Sequence, residues 1–451
     1  MKIERLIKRK NLKVDSREIK KKDIFICTLG NYDKNKYIDE VYNKCSLVIS
    51  NQSNHSIKTN NPALFLYEAL DYKYHYPLLN KNIIGITGTD GKTTCATILR
   101  YMLNGASIGT NGLELNNYHT SLLNTTPNLI ELFKCFNIIN KRNISNIIME
   151  VSSESYLTKR IPYLFFDVGI FLNISKEHLD KHPNFKNYLN CKKELLKNSR
   201  IKIINRDSHY YHVIKKNINN YLTFGKKKSD LQLIKYNLAM DKTTFLIRYK
   251  KKKYWVNSPL LGIYNIYNLM ASILTMLSLG YEIEDVIKRI SLIKTIPGRM
   301  EKLNYQDKHI IIDYAHTICA TKKVLFFLAK YANKKIITIV GCAGGRFKEK
   351  RKIIGKYVLQ YSFLAIFTMD DPRDENPYMI VDEMLNNSKR KNYLIEINRQ
   401  KAIEKALSMA NDNNIILILG KGRDNYMAIG DKKIKYSDIS VIDNYLNTKK
   451  V

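Results

Sequence analysis

A glycine-rich segment at residues 88–94, GTDGKTT, has the residue types of a phosphate-binding loop. It follows a short apolar run and precedes a helical pattern, which is the context that such a loop requires. Glycines let backbone N–H groups approach phosphates, and the start of a helix carries a partial positive charge. In this setting Lys92 contacts the terminal phosphates and the Thr93 hydroxyl binds magnesium. We expect the phosphates to contact Gly88, Thr89, Asp90, Gly91, Lys92, Thr93 and Thr94.

Polar or glycine-rich residues follow each of seven apolar runs that are typical of buried strands. The runs are residues 83–86, 147–149, 165–172, 309–312, 335–340, 363–367 and 415–419. The segments that follow them are, in the same order, the glycine-rich loop, Glu150 with two serines, NISKEHLD, DYAH, GCAGGR, TMDDPR and LGKGRD. Helical periodicity follows several of them, at residues 95–103, 321–331 and 399–410. This alternation predicts α/β architecture with mainly parallel sheets, and ligands bind at the carboxyl edge of such sheets.

The composition is that of a globular chain, with 451 residues, 45% hydrophobic and 26% charged. A disordered chain would have fewer apolar residues. No stretch reaches the ~20 apolar residues of a membrane span, and the basic start leads into no apolar signal core. We therefore expect a cytoplasmic protein without membrane insertion. The seven cysteines form no CxxC pair and are odd in number, which disfavours a disulfide framework and a zinc site.

The chain is strongly basic, with 75 Lys and Arg against 41 Asp and Glu and a net charge of +34. Such an excess is often found in nucleic-acid-binding proteins. Here, however, the basic residues are spread along the whole chain and form no dense arm or stripe. We therefore do not expect nucleic acid as a partner, although the diffuse positive field would attract nucleotides.

Two boundaries divide the chain into three predicted domains, consistent with a prior of about 150 residues per domain. The first nucleotide signal begins near Ile83, which leaves a separate small unit before it. A new pattern of strand and helix begins just after residues 297–299, PGR. The predicted domains are residues 1–80, 81–300 and 301–451.

The order of motifs resembles that of the Mur ligase family over nearly the whole chain. The segments that carry the resemblance are GITGTDGKTT, TTP at 125–127, MEVSS at 149–153, NISKEHLDKH at 173–182, YLNCKKELL at 188–196, GIYNIYNLMAS at 262–272, PGRME at 297–301, DYAHT at 313–317, GCAGGR, DDPRDENP and GKGRD. Only two residues separate Gly88 from Gly91, where the common nucleotide-hydrolase loop has four, and this shorter loop narrows the candidate families. Within the family, DSREIKKKDIF at 15–25, PGRMEKL and DYAHT resemble the MurE type.

The resemblance implies a three-domain α/β architecture. Residues 1–80 would bind a UDP-linked substrate, residues 81–300 would form a central P-loop ATPase domain, and residues 301–451 would form a Rossmann-like domain that binds an amino acid. It also implies an ATP-dependent ligase of peptidoglycan precursor synthesis, which adds the third amino acid to UDP-N-acetylmuramoyl-L-Ala-D-Glu. A carboxylate is a poor acyl donor, so the ligase would first form an acyl phosphate.

By resemblance, Lys92, Lys192 and His178 are the catalytic residues. Thr93, Glu150, His178 and Lys192 would hold two magnesium ions, with Lys192 carbamylated so that a cation becomes a carboxylate-like anion. Lys193 competes with Lys192 for this role, since it is the next residue. At the nucleotide, Asn265 and Asn268 would lie near adenine, Arg299 at a phosphate and Asp313 near the ribose.

The UDP-linked substrate would contact Ser16, Thr125, Thr126, Ser153 and Arg160. The chain departs from the family pattern here, because Glu154 stands where a histidine is usual and Thr158 where a glutamine is usual. Both departures concern recognition of this substrate and leave the phosphate chemistry untouched.

The amino acid would contact Arg346, Asp371, Arg373, Gly420 and Asp424. The segment 370–373 reads DDPR where meso-diaminopimelate enzymes of this type have DNPR, so Asp371 would repel a carboxylate unless it contacts an ammonium. Asp424 replaces a glutamate of the pattern and could still pair with an ammonium. We favour meso-diaminopimelate over L-lysine, because Arg373 would have no partner on a lysine side chain.

Three other interpretations stay open at this point. A sibling ligase of the folylpolyglutamate or cyanophycin type would share the activation chemistry but use a different acceptor. A basic nucleic-acid-binding ATPase would require stacking aromatics interleaved with a basic stripe. A non-catalytic binding protein would not need the combination of Lys92, Thr93, Glu150 and His178. We expect a monomer.

Overall fold

The computed structural model describes residues 6–7, 10–28, 34–52, 55–176, 181–305 and 308–448. These residues form three sheets, of four, eleven and six strands, and one two-stranded hairpin. None of the described helices is long and apolar enough to cross a lipid bilayer.

The first sheet is small and wholly parallel, in the order β1-β2-β3-β4. Its strands are β1 (Leu12–Lys13), β2 (Ile24–Ile26), β3 (Leu47–Ser50) and β4 (Ile57–Lys58). Its helical elements are the 3-10 turns Ser16–Glu18 and Lys34–Tyr37, α1 (Ile38–Val41) and α2 (Pro62–Lys73). Helix α2 begins where Asn61 caps the Leu64 N–H with its side chain and Pro62 occupies the first turn, a common start signal.

The second sheet has eleven strands and contains the glycine-rich loop. The strands are β5 (Asn82–Thr87), β6 (Ala106–Gly109), β7 (Gly112–Leu115), β8 (Tyr118–Thr120), β9 (Asn146–Glu150), β10 (Phe166–Phe171), β11 (Ser199–Asn205), β12 (Tyr221–Gly225), β13 (Leu231–Leu238), β14 (Thr243–Tyr249) and β15 (Lys252–Ser258). They are ordered β15-β14-β13-β12-β11-β10-β5-β9-β6-β7-β8. The strands from β13 to β6 run parallel, and an antiparallel pair extends each edge.

Helices cover the parallel part of this sheet, so its strands are apolar on both faces. The helices are α3 (Lys92–Leu103), α4 (Leu129–Lys141), α5 (Ser153–Leu157), α6 (Phe185–Lys197), α7 (Tyr211–Lys215), α8 (Ile263–Ser278) and α9 (Ile283–Ser291). Central strand β5 contributes Ile84 and Ile86 to the core, and both are fully buried. The loop at its carboxyl end therefore projects from a rigid support.

The third sheet has six strands, and all of its pairings are parallel except that of β16. Its strands are β16 (Glu301–Tyr305), β17 (Lys308–Asp313), β18 (Lys335–Val340), β19 (Leu364–Phe367), β20 (Tyr393–Ile395) and β21 (Asn414–Leu419), in the order β16-β17-β21-β18-β19-β20. The hairpin β22 (Tyr426–Ile429) and β23 (Lys432–Lys435) follows it. The helices are α10 (Ile318–Tyr331), α11 (Lys350–Tyr361), α12 (Pro377–Leu385), α13 (Arg399–Met409) and α14 (Asp438–Thr448).

A buried ion pair joins the last two helices to this sheet. The guanidinium of Arg399 donates to both carboxylate oxygens of Asp438, at 2.9 and 2.8 Å, and both side chains are fully buried. The same guanidinium donates to the carbonyl oxygen of Leu419 at 2.9 Å, which fixes the carboxyl end of β21. The loop that follows β21 thus begins from an anchored position.

The predicted α/β class is confirmed. All seven predicted strands are present, three in the second sheet and four in the third, and the strands of each set run parallel. Two helices begin a turn earlier than predicted, at Lys92 and Ile318. The domain boundaries stay predictions; β5 begins at Asn82 and β16 at Glu301.

Candidate active site

The glycine-rich loop connects β5 to α3, and Gly91 forms the N-terminal cap of that helix. Gly91 has φ +86°, in the left-handed region that favours glycine. A Cβ at this position would lie 2.6 Å from Oδ1 of Asn268, so a side chain is also sterically excluded. The loop conformation therefore depends on a glycine, and α8 closes against it through Asn268.

Asn173 braces the loop from the end of the neighbouring strand β10. Its carbonyl oxygen accepts from the Thr89 N–H at 3.1 Å, and its side-chain oxygen accepts from the Asp90 N–H at 3.0 Å. Its side-chain amide donates to the carbonyl oxygen of Asp90 at 2.9 Å. Asn173 was not among the residues predicted for the site, although its position directly after a predicted strand was an available signal.

Two lysine ammonium groups meet at the loop. Nζ of Lys92 donates to the carbonyl oxygens of Gly88 and Thr89, at 2.9 and 3.0 Å. Nζ of Lys192, which is 2% exposed on α6, donates to the same Gly88 oxygen at 2.9 Å. By contrast, Nζ of Lys193 donates to the carbonyl oxygens of Val213 and Lys216, beside α7. Of the two adjacent lysines, Lys192 is the one at the phosphate-binding loop.

Burial lowers the pKa of both loop lysines, because a desolvated ammonium is costly. The pKa of Lys192 falls well below its ordinary value, first through burial and then through repulsion by Lys92. The carboxylates of Glu150 and Asp90 oppose the shift at Lys92. The site therefore favours an uncharged amine at Lys192, which is the reactive form of a lysine.

Polar groups of α3 and of the segment that follows β6 contact the carboxylate of Glu150 at the end of β9. The Thr93 hydroxyl donates to Oε2 at 3.0 Å, and the Thr110 N–H donates to Oε1 at 2.9 Å. A Cβ at Gly109 would lie 2.2 Å from Oε1, so β6 must carry a glycine there. The structure thus places two predicted magnesium ligands, Thr93 and Glu150, in direct contact.

Of the other two predicted magnesium ligands, Lys192 lies at the loop, and His178 lies outside the described residues. Within the described ranges, no three His, Cys, Asp or Glu side chains form a metal-binding group. A magnesium site here would therefore combine Glu150 with a threonine hydroxyl and, at Lys192, a modified side chain.

Asn265 and Asn268, predicted to lie near adenine, are buried and make hydrogen bonds within the protein, whereas Arg299, predicted at a phosphate, is partly exposed. The side chains of Asn265 and Asn268 bond to each other at 3.1 Å, and Asn265 also donates to the Leu261 carbonyl oxygen at 2.8 Å. The guanidinium of Arg299 lies 4.5 Å from the centre of the Tyr314 ring.

Both carboxylate oxygens of Asp313 accept backbone N–H groups, from Met300 at 2.7 Å and from Ala315 at 2.8 Å. Burial raises its pKa, although Arg299 and these hydrogen bonds oppose the shift. Asp313 thus ties the segment 298–300 to the end of β17, and its predicted role near the ribose stays a prediction.

Arg160, predicted to contact the UDP-linked substrate, bonds Thr126 of the same predicted set and both residues that depart from the family pattern. Its guanidinium donates to the Thr126 carbonyl oxygen at 2.9 Å, to the Thr158 hydroxyl at 2.9 Å and to the Glu154 carboxylate at 3.4 Å. Thr158 and Glu154 are the two positions at which the chain departs from the pattern that it resembles. Both departures therefore alter the hydrogen-bond partners of a single guanidinium, that of Arg160.

The other residues of this set occupy two parts of the chain. The Thr126 hydroxyl donates to the Glu150 carbonyl oxygen at 2.8 Å, and the Thr125 hydroxyl lies 3.3 Å from that of Thr110. The Ser153 hydroxyl bonds Nε2 of His182 at 2.9 Å. These three lie near Glu150 in the second sheet, whereas Ser16 lies in a 3-10 turn of the first sheet.

A cavity of about 160 Å³ at the carboxyl edge of the third sheet contains all five residues predicted to contact the amino acid. These residues are Arg346, Asp371, Arg373, Gly420 and Asp424. Its wall also includes Tyr314, His316 and Lys350. Both cationic and anionic side chains line the cavity, which suits a zwitterionic ligand.

Lys421 is a buried cation behind this cavity and was not predicted from the sequence. Its Nζ is 2.8 Å from the carboxylate of Asp371, 3.7 Å from that of Asp370 and 3.9 Å from that of Asp424. Burial alone would lower the pKa of Lys421, but the carboxylates of Asp370 and Asp371 raise it above its ordinary value. The ammonium that Asp371 was predicted to need is therefore supplied by the protein itself.

The negative charge of Asp424 is only partly balanced by the nearby ammonium of Lys421. Its side chain is 23% exposed, and burial raises its pKa from 3.8 to about 6 despite the nearby Lys421. The carboxylates of Asp370 and Asp371 add to the increase. Asp424 is thus the carboxylate of the cluster that gains most from a second positive charge entering the cavity.

The hairpin β22–β23 holds the segment that carries Arg373. The Arg373 N–H donates to the Ala428 carbonyl oxygen at 3.1 Å, and the Gly430 N–H donates to the Arg373 carbonyl oxygen at 3.0 Å. Arg373 has φ +51°, an uncommon conformation for a residue with a long side chain. Its guanidinium donates to the Gly344 carbonyl oxygen at 3.1 Å, which leaves further N–H groups for a ligand in the cavity.

A hydrogen bond joins the phosphate-binding loop to Thr317, the residue that follows His316 of the cavity wall. The Thr317 hydroxyl, at the N-terminal cap of α10, donates to Oδ1 of Asp90 in the loop at 3.0 Å. Thr317 also accepts the Ala320 N–H at 3.1 Å, so the contact is made by an ordered cap.

The segment that links the second and third sheets lies beneath the loop 420–424. The Gly298 carbonyl oxygen accepts the Tyr314 N–H at 2.9 Å, and a Cβ at Gly298 would lie 3.0 Å from the Arg423 nitrogen. Glu301 accepts the Gly298 N–H at 2.7 Å and pairs with the Arg423 guanidinium. The linker and the loop therefore form one packed unit.

Comparisons with known proteins give a consistent result. Residues 86–276 match the family model of the Mur ligase middle domain, and residues 298–422 match that of the Mur ligase glutamate ligase domain. A UDP-N-acetylmuramoyl-L-alanyl-D-glutamate–2,6-diaminopimelate ligase of Clostridium acetobutylicum is 33% identical, and the alignment covers 97% of this chain and 94% of that one.

Solved structures show the same fold. A UDP-N-acetylmuramoyl-L-alanyl-D-glutamate–2,6-diaminopimelate ligase aligns with a TM-score of 0.69 and 23% identity, over 98% of this chain and 95% of that chain. The MurF ligase of Thermotoga maritima, solved in complex with ADP, aligns with a TM-score of 0.65 and 18% identity, over 98% of both chains.

Proposed function

The chain belongs to the Mur ligase family, and on this basis we propose that it is the ligase that joins meso-diaminopimelate to UDP-N-acetylmuramoyl-L-alanyl-D-glutamate. The reaction consumes ATP and forms an amide bond in peptidoglycan precursor synthesis. The observation that carries the proposal is the mixed-charge cavity, which holds all five predicted amino-acid residues and is connected to the phosphate-binding loop through Thr317 and Asp90.

ATP would bind with its phosphates at residues 88–94. The backbone N–H groups at the start of α3 and the ammonium of Lys92 offer positive charge to the terminal phosphates. Lys92 now donates to loop carbonyl oxygens, so its ammonium already lies at the loop that would receive the nucleotide. The complex of a related MurF ligase with ADP supports nucleotide binding in this fold.

The residues near the loop fit magnesium, which prefers oxygen ligands. The Thr93 hydroxyl and the Glu150 carboxylate already share a 3.0 Å contact at the start of α3. We propose that these two hold the ion together with His178, and that magnesium, when bound, offsets the negative charge of the phosphoryl oxygens.

We also propose that Lys192 is carbamylated and holds a second magnesium ion. Carbon dioxide adds only to an uncharged amine, and burial together with the charge of Lys92 favours that form at Lys192. Carbamylation would place a negative charge at Lys192, which the ammonium of Lys92 would attract. Lys193 does not have this environment, because its ammonium bonds to carbonyl oxygens beside α7.

The reaction has two steps. First, the free carboxylate of the UDP-linked peptide attacks the γ-phosphorus of ATP, and ADP leaves with the bonding electron pair. Lys92 lowers the repulsion between the two anions as they approach. Second, the amine of the amino acid attacks the acyl carbon, and phosphate leaves with its electron pair. Arg346 and Arg373 hold the carboxylates of the amino acid.

The cavity supports meso-diaminopimelate as the amino acid. This molecule carries two carboxylates and two ammonium groups, and the cavity offers Arg346 and Arg373 to the carboxylates and Asp424 to an ammonium. Because Lys421 neutralises Asp371, that aspartate does not repel the distal carboxylate. L-lysine has no distal carboxylate, so it would offer no carboxylate partner to Arg373.

The three domains divide the substrates among them. We propose that residues 1–80 bind the uridine part with Ser16, that residues 81–300 bind ATP and the muramoyl peptide, and that residues 301–451 bind the amino acid. At the muramoyl peptide, Thr125, Thr126, Ser153 and Arg160 would make the contacts. We propose that the ligase works as a monomer in the cytoplasm, where ATP and UDP-linked sugars are available.

A phosphate-release assay tests the proposal. The purified protein is incubated with ATP, magnesium and UDP-N-acetylmuramoyl-L-Ala-D-Glu, and a panel of amino acids is added singly. We expect turnover with meso-diaminopimelate and much less with L-lysine. Turnover with lysine alone would show that Arg373 has been misassigned. Turnover only with a different acceptor, such as a folate, would favour the sibling ligases.

A further inference from the structure

His316 lies between the phosphate-binding loop and the amino-acid cavity, and the function proposed above does not use it. It lines the cavity together with Arg346 and Asp424. It also directly precedes Thr317, whose hydroxyl bonds Asp90 of the loop at 3.0 Å. In the second step of the reaction, the activated acyl group and the amine must meet between these two sites. His316 is therefore placed where they meet.

The hydrogen bonds of His316 fix which of its ring nitrogens carries the proton. Nδ1 lies 2.8 Å from the carbonyl oxygen of Tyr314. A carbonyl oxygen can only accept, so Nδ1 is the donor and carries the proton. In the uncharged ring, Nε2 is then a hydrogen-bond acceptor with a free lone pair.

The surroundings keep this ring uncharged. His316 is an exposed residue at the cavity wall, yet desolvation by the side chains around its ring, followed by the charge of Lys350, lowers its pKa to about 4. Arg299 acts in the same direction, and Asp90 opposes it. Lys350 is held in place because its Nζ donates to the His316 carbonyl oxygen at 3.1 Å.

Given the proposed ligase function, we propose that Nε2 of His316 accepts a hydrogen bond from the attacking amine and so directs the amine lone pair at the acyl carbon. That lone pair forms the C–N bond, and the C–O bond to phosphate breaks with its electrons on phosphate. One proton leaves the nitrogen, and the departing phosphate takes it. His316 itself does not change its protonation state.

An uncharged acceptor suits this task better than the carboxylates of the cavity. A carboxylate stabilises the ammonium form of a ligand, and an ammonium nitrogen has no lone pair for attack. Asp371 is already bonded to Lys421 at 2.8 Å, and Asp424 would pair with an ammonium that does not react. An imidazole that remains uncharged bonds the free amine without favouring its protonation.

Two variants separate the roles of the ring nitrogens. His316→Asn keeps an N–H near the Nδ1 position and loses the acceptor at the Nε2 position. His316→Gln places an amide oxygen near the Nε2 position. His309→Asn is the matched control. His309 is an exposed histidine at the start of β17, and His316 follows the other end of that strand.

Each step of the reaction is measured separately. Acyl phosphate is trapped with hydroxylamine in the absence of amino acid, and ligation is followed with the full set of substrates. For His316→Asn we expect trapping within about two-fold of the unchanged protein but ligation kcat lower by about 100-fold. For His316→Gln we expect at least about ten-fold of this loss to be recovered. His309→Asn should behave like the unchanged protein in both assays.

Other outcomes would overturn the proposal. Unchanged ligation in His316→Asn would show that the amine does not use Nε2. Equal losses of trapping and ligation in both variants, with unaltered melting temperatures, would assign His316 to the nucleotide site. If the unchanged protein forms no acyl phosphate from ATP and the UDP-linked substrate, the ligase function itself fails, whatever the variants do.

Discussion

Replacing Asp424 with asparagine should stabilise the protein in a pH-dependent way while impairing its reaction. In the folded protein the pKa of Asp424 is raised from 3.8 to about 6, so the native state binds its proton more tightly than the unfolded chain does. The stability that this proton supplies is fully present below pH 3.8 and is lost as the pH rises through 6. At neutral pH the ionised carboxylate therefore destabilises the fold.

The size of the effect follows from the shift. At about 1.4 kcal/mol per pKa unit, a shift from 3.8 to about 6 corresponds to about 3 kcal/mol when Asp424 is fully ionised. By linkage, about half of this penalty is present at pH 5 and essentially all of it at pH 7.5. The advantage of Asp424→Asn should therefore grow by about 1.5 kcal/mol between pH 5 and pH 8.

Native-state hydrogen exchange can measure this locally. Amides of β21, residues Asn414–Leu419, precede the loop that carries Asp424 and report the opening free energy of the third sheet. Asp431→Asn is the matched control, since Asp431 is an exposed carboxylate in the turn of the neighbouring hairpin. A gain that is independent of pH, or one that the control reproduces, would refute the assignment of buried charge to Asp424.

The same variant should bind the amino acid more weakly. Asp424 is the cavity carboxylate proposed to pair with an ammonium, and a hydrogen bond to a charged group contributes about 1.5–3 kcal/mol. We expect KM for the amino acid to rise by about 10–100-fold, with KM for ATP unchanged. An unchanged KM for the amino acid would remove Asp424 from the proposed site.

Three further predictions concern other parts of the molecule. Lys192→Ala should lose activity that a short-chain carboxylic acid partly restores in the phosphate-release assay, whereas Lys193→Ala should remain active; an active Lys192→Ala would exclude the carbamate. Glu150→Gln should raise the magnesium concentration for half-maximal activity by about ten-fold or more, because an amide is a weaker ligand; an unchanged magnesium titration would argue against this ligand. Arg399→Met should lower the free energy of unfolding by about 3–5 kcal/mol, since it leaves Asp438 buried without its partner. Adding Asp438→Leu should recover part of that loss in thermal unfolding, and an equally unstable double variant would contradict the ion-pair argument.

Much of the fold could be predicted because parallel strands buried on both faces appear as continuous apolar runs. All seven such runs are strands, and the polar segments after them lie at the carboxyl edges of two sheets. The antiparallel edges were not predicted. Strand β15 reads KKYWVNS and is mostly exposed, so its pattern is not that of a buried strand.

The candidate site shows a similar division between local and long-range information. The phosphate-binding loop is encoded in consecutive residues, and its context was visible in the sequence. Spacing alone could not decide between Lys192 and Lys193. The answer depends on which side of α6 faces the loop after β5.

Lys421 was missed for a related reason. In a chain with 75 Lys and Arg, a single lysine carries little information. Its significance comes from Asp371, which lies fifty residues earlier in the chain.

The packing of Gly298 under Arg423 limits where this protein can be divided or extended. Boundaries between domains are usually tolerant of added residues, and the stretch around 298–301 would be the natural place to insert a tag or to separate the halves. Here an insertion would push against a backbone more than a hundred residues away and would disconnect Glu301 from its guanidinium partner. The loop that carries Lys421 and Asp424 would move with Arg423. An insertion near residue 298 would therefore change the preference for the amino-acid substrate.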